Sequence, residues 1–286
     1  MNPEDRLAYE SRVSTRQVVL AVAAGVLLMA GVLIQAFGPH PKVTEQTLAL
    51  VTENKRATQD LIGSIVTALA YFSLASTLWY LWGSTRAREP KVRPAFTGIL
   101  AVVGCVLYGV SIVAYVANYG IQAHHFVTHG TQTYAEANAL LTKASLVIPQ
   151  IANDFGLLLI AVGYVMVSLN AMRVGLLTRF LGYLGIIAGV LTIIPLVPIP
   201  IVAAYWLLAL AYLFSGRWPS GVPPAWSTGR AEPWPKAQRG ERPAREPLFG
   251  RARGKPAPEP APEPVGAPAA GSTRSTTPKR KRKRRK

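Results

Sequence analysis

The chain has 286 residues, half of them hydrophobic, with 16% charged and a formal net charge of +17. Soluble domains carry about a quarter charged residues, so this charge content and a mean hydropathy of +0.25 exclude an ordinary soluble globule. The single cysteine, Cys105, excludes an internal disulfide and a cysteine-based metal cluster.

The charge is concentrated at one end. Residues 1–216 hold 13 Lys/Arg against 9 Asp/Glu, a net of +4, whereas residues 217–286 hold 18 Lys/Arg against 5 Glu, a net of +13. The front of the chain is nearly neutral and strongly apolar, and the basic character belongs to the tail.

A helix needs roughly 20 mostly apolar residues to cross a bilayer core about 30 Å thick. Taken in order, the chain offers such segments at about 17–38, 61–83, 97–123 and 147–172, and two shorter ones at 181–197 and 201–216. Pro195, Pro198 and Pro200 break the helix between the last two. They predict a tight turn there; one kinked segment with a re-entrant piece is the alternative. The first segment reads as a retained anchor rather than a cleaved leader, because sixteen mostly polar residues precede it and its apolar run is long. Residues 1–216 are therefore expected to form an all-α membrane bundle of six helices.

Lys and Arg in short loops set orientation. Arg6, Arg12 and Arg16 precede the first segment; Arg86, Arg88, Lys91 and Arg93 follow the second; Arg173 and Arg179 follow the fourth. With six crossings all of these lie on the cytoplasmic side together with the tail, and both termini are cytoplasmic. The opposite loops are balanced in charge. Trp79, Tyr80, Trp82 and Trp218, and Tyr205 and Trp206 at the other side, fit interfacial belts; bundle packing explains Trp206 equally well. Gly104 and Gly109, and Gly182, Gly185 and Gly189, are expected at close helix contacts.

From residue 217 the composition changes: 14 of the 23 prolines fall in the last 70 residues. The stretch KPAPEPAPEPVGAPAAG predicts an extended spacer with too little apolar surface to fold. Residues 217–286 are thus expected to be a disordered, Pro-rich cytoplasmic tail. Its last eight residues, Lys279, Arg280, Lys281, Arg282, Lys283, Arg284, Arg285 and Lys286, are all basic and are the candidate site for an anionic partner.

Ionisable residues inside a membrane segment are functional candidates. Asp154, with Asn153 and Gln150 beside it and Pro149 just before, is the one acidic group clearly inside a span, towards its outer end. A carboxylate facing the bundle would bind an ion or proton; a carboxylate at the outer interface would simply be solvated. His125 and His129, four residues apart, would share a helix face and are a candidate metal pair, with Glu136 or Asp154 as a further ligand; His124 and His40 lie on the same side. The third segment carries Tyr108, Ser111, Tyr115, Asn118 and Tyr119, of which 108, 111, 115 and 119 share a helix face; this polar, aromatic stripe reads as interhelical packing, with a substrate path contacted by Tyr115 and Asn118 as the alternative. No phosphate-cradling loop, nucleophile elbow or dinucleotide fingerprint is present.

Residues 155–191 carry a pattern of Phe155, Gly156, Leu159, Gly163 and Tyr164, a short basic loop with Arg179, then Leu181, Gly182, Leu184, Gly185, Ala188 and Gly189. This stretch resembles a family of bacterial multi-pass membrane proteins of unassigned function. The resemblance implies a helical bundle of six or seven spans and no mechanism. The basic tail looks like those of some bacterial membrane insertases, but the spans here lack their internal arginine, and that function is not carried over.

These readings point to a non-enzymatic plasma-membrane protein without a cofactor, its tail contacting anionic lipid headgroups or RNA. Its expected partner is the lipid bilayer, with a homo-oligomer left open. The alternatives are a small-molecule or ion transporter using Asp154 and a metal-dependent membrane hydrolase using the outer histidines.

Overall fold

With no water to satisfy backbone groups in lipid, an apolar chain of this kind crosses as helices. The computed structural model describes residues 3–37, 46–91, 96–194, 200–219 and 221–232, and among these every regular element is helical. The elements are α1 (Pro3–Ala36), α2 (Gln46–Arg88), α3 (Thr97–Thr128), α4 (Tyr134–Leu141), α5 (Ala144–Val174), α6 (Arg179–Ile193), α7 (Ile201–Phe214) and α8 (Pro224–Thr228).

Four helices, α1, α2, α3 and α5, are long and apolar enough to cross a membrane. The helices α6 and α7 have 15 and 14 residues, or about 22 and 21 Å at 1.5 Å per residue. Each falls short of the roughly 30 Å hydrocarbon core by itself. The turn expected at Pro195 and Pro198 lies outside the described residues, but the two helices on either side of it are separate elements as the prolines predict. Several helices outrun their apolar segments. In α2 the first turns, 46–60, are polar, and the apolar part begins at Leu61.

Six helices pack in a closed ring. Each of α1, α2, α3, α5, α6 and α7 lies against the next, and α7 closes back on α1. The main core runs through this ring and includes Leu78, Leu81, Cys105, Ile160, Tyr164, Leu181, Trp206 and Leu210. A second, smaller core at the far end joins Leu50, Ala123, Phe126, Ala137 and Leu140, where α4 folds over α2 and α3. Thr133 begins α4 by accepting a hydrogen bond from the Glu136 N–H. Gly175 ends α5 with φ 84°, and the Leu176 N–H donates to the Ala171 carbonyl at 2.9 Å. This left-handed cap turns the chain back into α6, whose first turn is capped by the Thr178 side chain.

The seam between α3 and α5 depends on missing side chains. A Cβ at Gly156 would stand 2.8 Å from the Tyr108 amide nitrogen, and one at Gly104 would stand 2.7 Å from that of Ile160. Backbone meets backbone there, which is the contact that small residues allow in membrane bundles. The glycines of α6 meet α5 side chains and carbonyls, with Gly189 against the Ala161 carbonyl.

The folded unit does not stop at Gly216, where the Pro-rich composition predicts the tail to begin. Residues 217–219 and 221–232 turn back on the bundle. Ala225 is fully buried in the main core, and Trp218 and Trp226 pack against it. Local composition marks this stretch as unable to fold on its own; three apolar side chains resting on a core built elsewhere reverse that. The eight terminal basic residues, Lys279 to Lys286, lie outside the described residues, as do His40 and Arg93.

Candidate functional site

Two constructions stand out. The first lies at the basic end of the bundle. Arg88 occupies the last turn of α2, where the sequence suggests one more solvated loop cation, yet it is buried. Its Nη1 and Nη2 donate to Glu10 Oε1 and Oε2, each at 2.7 Å, in a two-pronged pair. Nη1 also donates to the Ser84 carbonyl at 3.0 Å, and Nε donates to the Ala225 carbonyl at 2.8 Å. Four of the five guanidinium protons are thus engaged.

The guanidinium also lies over the ring of Trp226, 5.1 Å from its centroid. Trp226 stacks on Tyr80 at 5.9 Å, meets Phe214 edge-on at 5.7 Å and donates from Nε1 to the Leu176 carbonyl at 2.8 Å. This clasp joins the start of α1, the end of α2, the α5–α6 turn and the segment after α7. It also corrects the belt reading for Tyr80, which faces inward at 8% exposed, while Trp79 stays 47% exposed.

The second construction is a chamber of about 480 Å³ inside the ring, lined from all six ring helices. Leu28 and Val32 of α1, Thr67, Tyr71 and Leu74 of α2 and Tyr108 of α3 form one side; Leu157, Ile160 and Tyr164 of α5 and residues of α6 and α7 form the other. Tyr71 and Tyr108 pack ring against ring at 4.5 Å. Tyr164 packs on the fully buried Trp206 at 4.7 Å, and Trp206 donates to the Leu181 carbonyl at 2.9 Å, so its place is in the core rather than in an interfacial belt. The Tyr164 hydroxyl is buried and has no hydrogen-bond partner. Among the described residues no charged side chain lines this space.

The residues singled out from the sequence are placed differently. Asp154 and Gln150 are exposed on the outer surface of α5, so the carboxylate does not face the bundle interior. Asp154 lies on the same stripe of α5 as the buried Ala161 and Ser168, which meet Gly189 and Gly185 of α6; α6 ends at Ile193, one turn beyond Gly189, and Asp154, two turns further along α5, stays exposed. Asn153 is half-buried, with an unpartnered Oδ1. Tyr115 and Tyr119 stack face to face at 5.9 Å, and Asn118 donates to the Ala114 carbonyl of its own helix at 2.8 Å. Tyr108 alone of that stripe lines the chamber.

His125 and His129 do share a face, with ring centroids 5.8 Å apart, but both are exposed. Glu136, one of the two carboxylates expected to complete such a site, accepts from Thr131 Oγ1 and the Gln132 N–H instead. Among the described residues no group of three His, Cys, Asp or Glu is placed to hold a metal. Close by, in the polar first turns of α2, Glu53 is half-buried. Burial, and then the Asp60 carboxylate, push its carboxyl up to about 7, against the pull of Arg56.

Sequence reasoning missed both the clasp and the chamber. Glu10 and Arg88 stand 78 residues apart, and nothing local pairs them. The one local signal was Trp226 in VPPAW, an aromatic residue just inside a proline-started helix in otherwise polar sequence. No protein-family model, curated protein or solved structure matches the chain.

Proposed function

We propose that this chain is a non-enzymatic integral membrane protein whose bundle crosses six times and roots a polybasic tail at the cytoplasmic surface. The observation that carries this is the Arg88 clasp. It gathers the start of α1, the end of α2, the α5–α6 turn and the root of the tail at one end of the bundle. Six crossings require that grouping. In this reading α6 and α7 complete their passages with the residues flanking them. The plasma membrane of a bacterium is the proposed location, on the basic loops and the resemblance of residues 155–191.

A tail rooted at the bilayer surface meets the adjacent leaflet first. Each Lys or Arg near an anionic leaflet is worth about 1 kcal/mol. The terminal run of eight therefore suffices for firm contact even after the ordering cost of the spacer is subtracted. Anionic lipid headgroups are the proposed partner. The exposed position of Asp154, and the lack among the described residues of a third ligand beside His125 and His129, leave the transporter and hydrolase readings behind this one.

The test places full-length protein, and a version ending at Gly271, in neutral-lipid nanodiscs and mixes each with anionic vesicles or ribosomes across a salt series. Full-length protein is expected to bind the anionic vesicles, with binding falling as salt rises, and the shortened version is expected not to bind. Equal binding by both versions refutes the reading. Binding of ribosomes but not vesicles reassigns the tail to RNA.

A further inference from the structure

At the basic end of the bundle a groove opens between α1 and α2. The seam of these two helices is tight at the opposite end, where a Cβ on Gly63 would stand 2.7 Å from Gln35 Cγ and 3.2 Å from the Gly31 carbonyl oxygen. Further along α2 the seam parts: a Cβ on Gly83 would meet nothing within 4 Å. The Glu10–Arg88 pair then ties the two helices together again. Between these ties lies a space of about 420 Å³ that follows α2 from Ser76 to Ala87, a run of about 16 Å at 1.5 Å per residue. Tyr9, Arg16 and Trp79 line it and are exposed, so it is open to the bundle surface.

The two halves of this groove differ in chemistry. From Gly83 towards Ser76 it runs beside the apolar part of α2, and the exposed Trp79 is of the kind that sits at a bilayer surface. From Gly83 towards Ala87 it runs beside the polar end. Glu10 opposite Arg88, and Gly31 against Gly63, set α1 antiparallel to α2 and put Arg16 near the level of Gly83. Among the described residues the charged side chains that line the groove are Glu10 and Arg16. Both oxygens of Glu10 are held by Arg88, so that pair is neutral. Arg16 has no such counter-charge: among the described residues it makes no ion pair and donates no hydrogen bond. Arg12, one turn earlier on the same face of α1, adds a second exposed cation nearby.

A soluble anion would use the cation and leave the apolar half empty. A neutral lipid would fill the apolar half and leave the cation bare. A molecule that answers both is anionic at one end and apolar at the other. Arginine presents a planar fork that fits a phosphate, and basic pockets between membrane helices hold lipid headgroups. We propose that this groove binds one anionic phospholipid of the adjacent leaflet, its phosphate on the Arg16 guanidinium and an acyl chain laid past Trp79 towards Ser76. The site belongs to the bundle and not to the basic tail; it rests on the reading that the bundle lies in a membrane.

The probe is a phosphatidylglycerol with a diazirine at the start of one acyl chain, added at rising mole fraction to full-length protein in phosphatidylcholine nanodiscs. Labelling is expected to concentrate on the peptides bearing Arg16 and residues 76–87, and to saturate. Unlabelled phosphatidylglycerol should displace it, and inorganic phosphate should not. Arg16→Gln should raise the half-saturating mole fraction about fivefold. Gly83→Leu puts a side chain into open space on a helix, so it should fold as stably as wild type while the labelling is lost. A chain ending at Gly271 should label as the full chain does, which separates this site from the tail. Labelling spread around the bundle without saturation overturns the proposal. So does saturation by a matching phosphatidylcholine probe at the same mole fraction, displacement by inorganic phosphate, or labelling that neither substitution changes. Loss of labelling on shortening to Gly271 would also overturn it. Failure to enter nanodiscs at all would overturn the membrane reading and this proposal with it.

Discussion

Replacing Arg88 by Met tests the clasp most directly. The substitution removes four hydrogen bonds and leaves the Glu10 carboxylate, 6% exposed, with neither of its partners. Breaking a buried ion pair from one side costs about 3–5 kcal/mol, because a desolvated charge is left behind. For a bundle of this size each kcal/mol moves the melting temperature by about 2–4 °C, so a fall of about 10 °C is expected. Glu10→Gln alone should cost somewhat less, since the amide still accepts one hydrogen bond. The double variant should lose less than the sum of the two singles, because neither charge remains to be stranded. Thermal unfolding in detergent, followed by circular dichroism for the four proteins of the cycle, measures this. Additive losses, or a fall under 2 °C for Arg88→Met, would show that the pair is not what holds the basic end together. Arg88→Lys separates charge from geometry: it keeps the cation, loses the two-pronged fork, and is expected to fall between wild type and Arg88→Met.

Three further outcomes are expected. Gly156→Ala sets a methyl group 2.8 Å from the Tyr108 backbone nitrogen, and overpacking of this kind costs about 1–3 kcal/mol, read as a drop of several degrees in the same thermal assay. Glu53 makes stability depend on pH: its carboxyl is raised from 4.5 to about 7 in the fold, so the carboxylate is disfavoured there, and stability should be greatest below pH 4.5 and decline as pH rises from 4.5 through 7. Glu53→Gln should flatten that decline, and melting curves at pH 5 and pH 8 would show it. Cysteines placed at Ser11 and Ser227 should react with an impermeant thiol reagent from the same side of sealed vesicles and one at Thr131 from the other; labelling of Ser11→Cys and Ser227→Cys from opposite sides would mean an odd number of crossings.

Much of this protein was legible in one dimension. An apolar run of about 20 residues in lipid can satisfy its backbone only as a helix, so the four long helices follow from local composition alone. The prolines before Ile201 separate α6 from α7 for an equally local reason, a missing N–H and a steric clash. The glycines of α3 and α6 marked close contacts because no other residue lets backbones approach so nearly.

What the sequence could not supply was which faces meet. Asp154 was legible as an ionisable group in an apolar stretch, but its direction depends on which side of α5 the partners α3 and α6 take. The helix α3 takes the side of Gly156 and Gly163, and α6 takes the stripe of Ala161 and Ser168; Asp154 continues that stripe but α6 ends at Ile193, before reaching it. Arg88 read as one of several loop cations until Glu10 and Trp226, far away in the chain, were brought against it. Residues 217–232 read as tail because proline content reports what a segment does alone, whereas Ala225 and Trp226 are ordered by a core that other segments build. The chamber is the clearest case, since an internal space belongs to no residue and exists only once the ring has closed. Composition thus determined helices long and apolar enough to cross a membrane. Long-range packing decided which of its polar groups are buried, paired or left waiting for a partner.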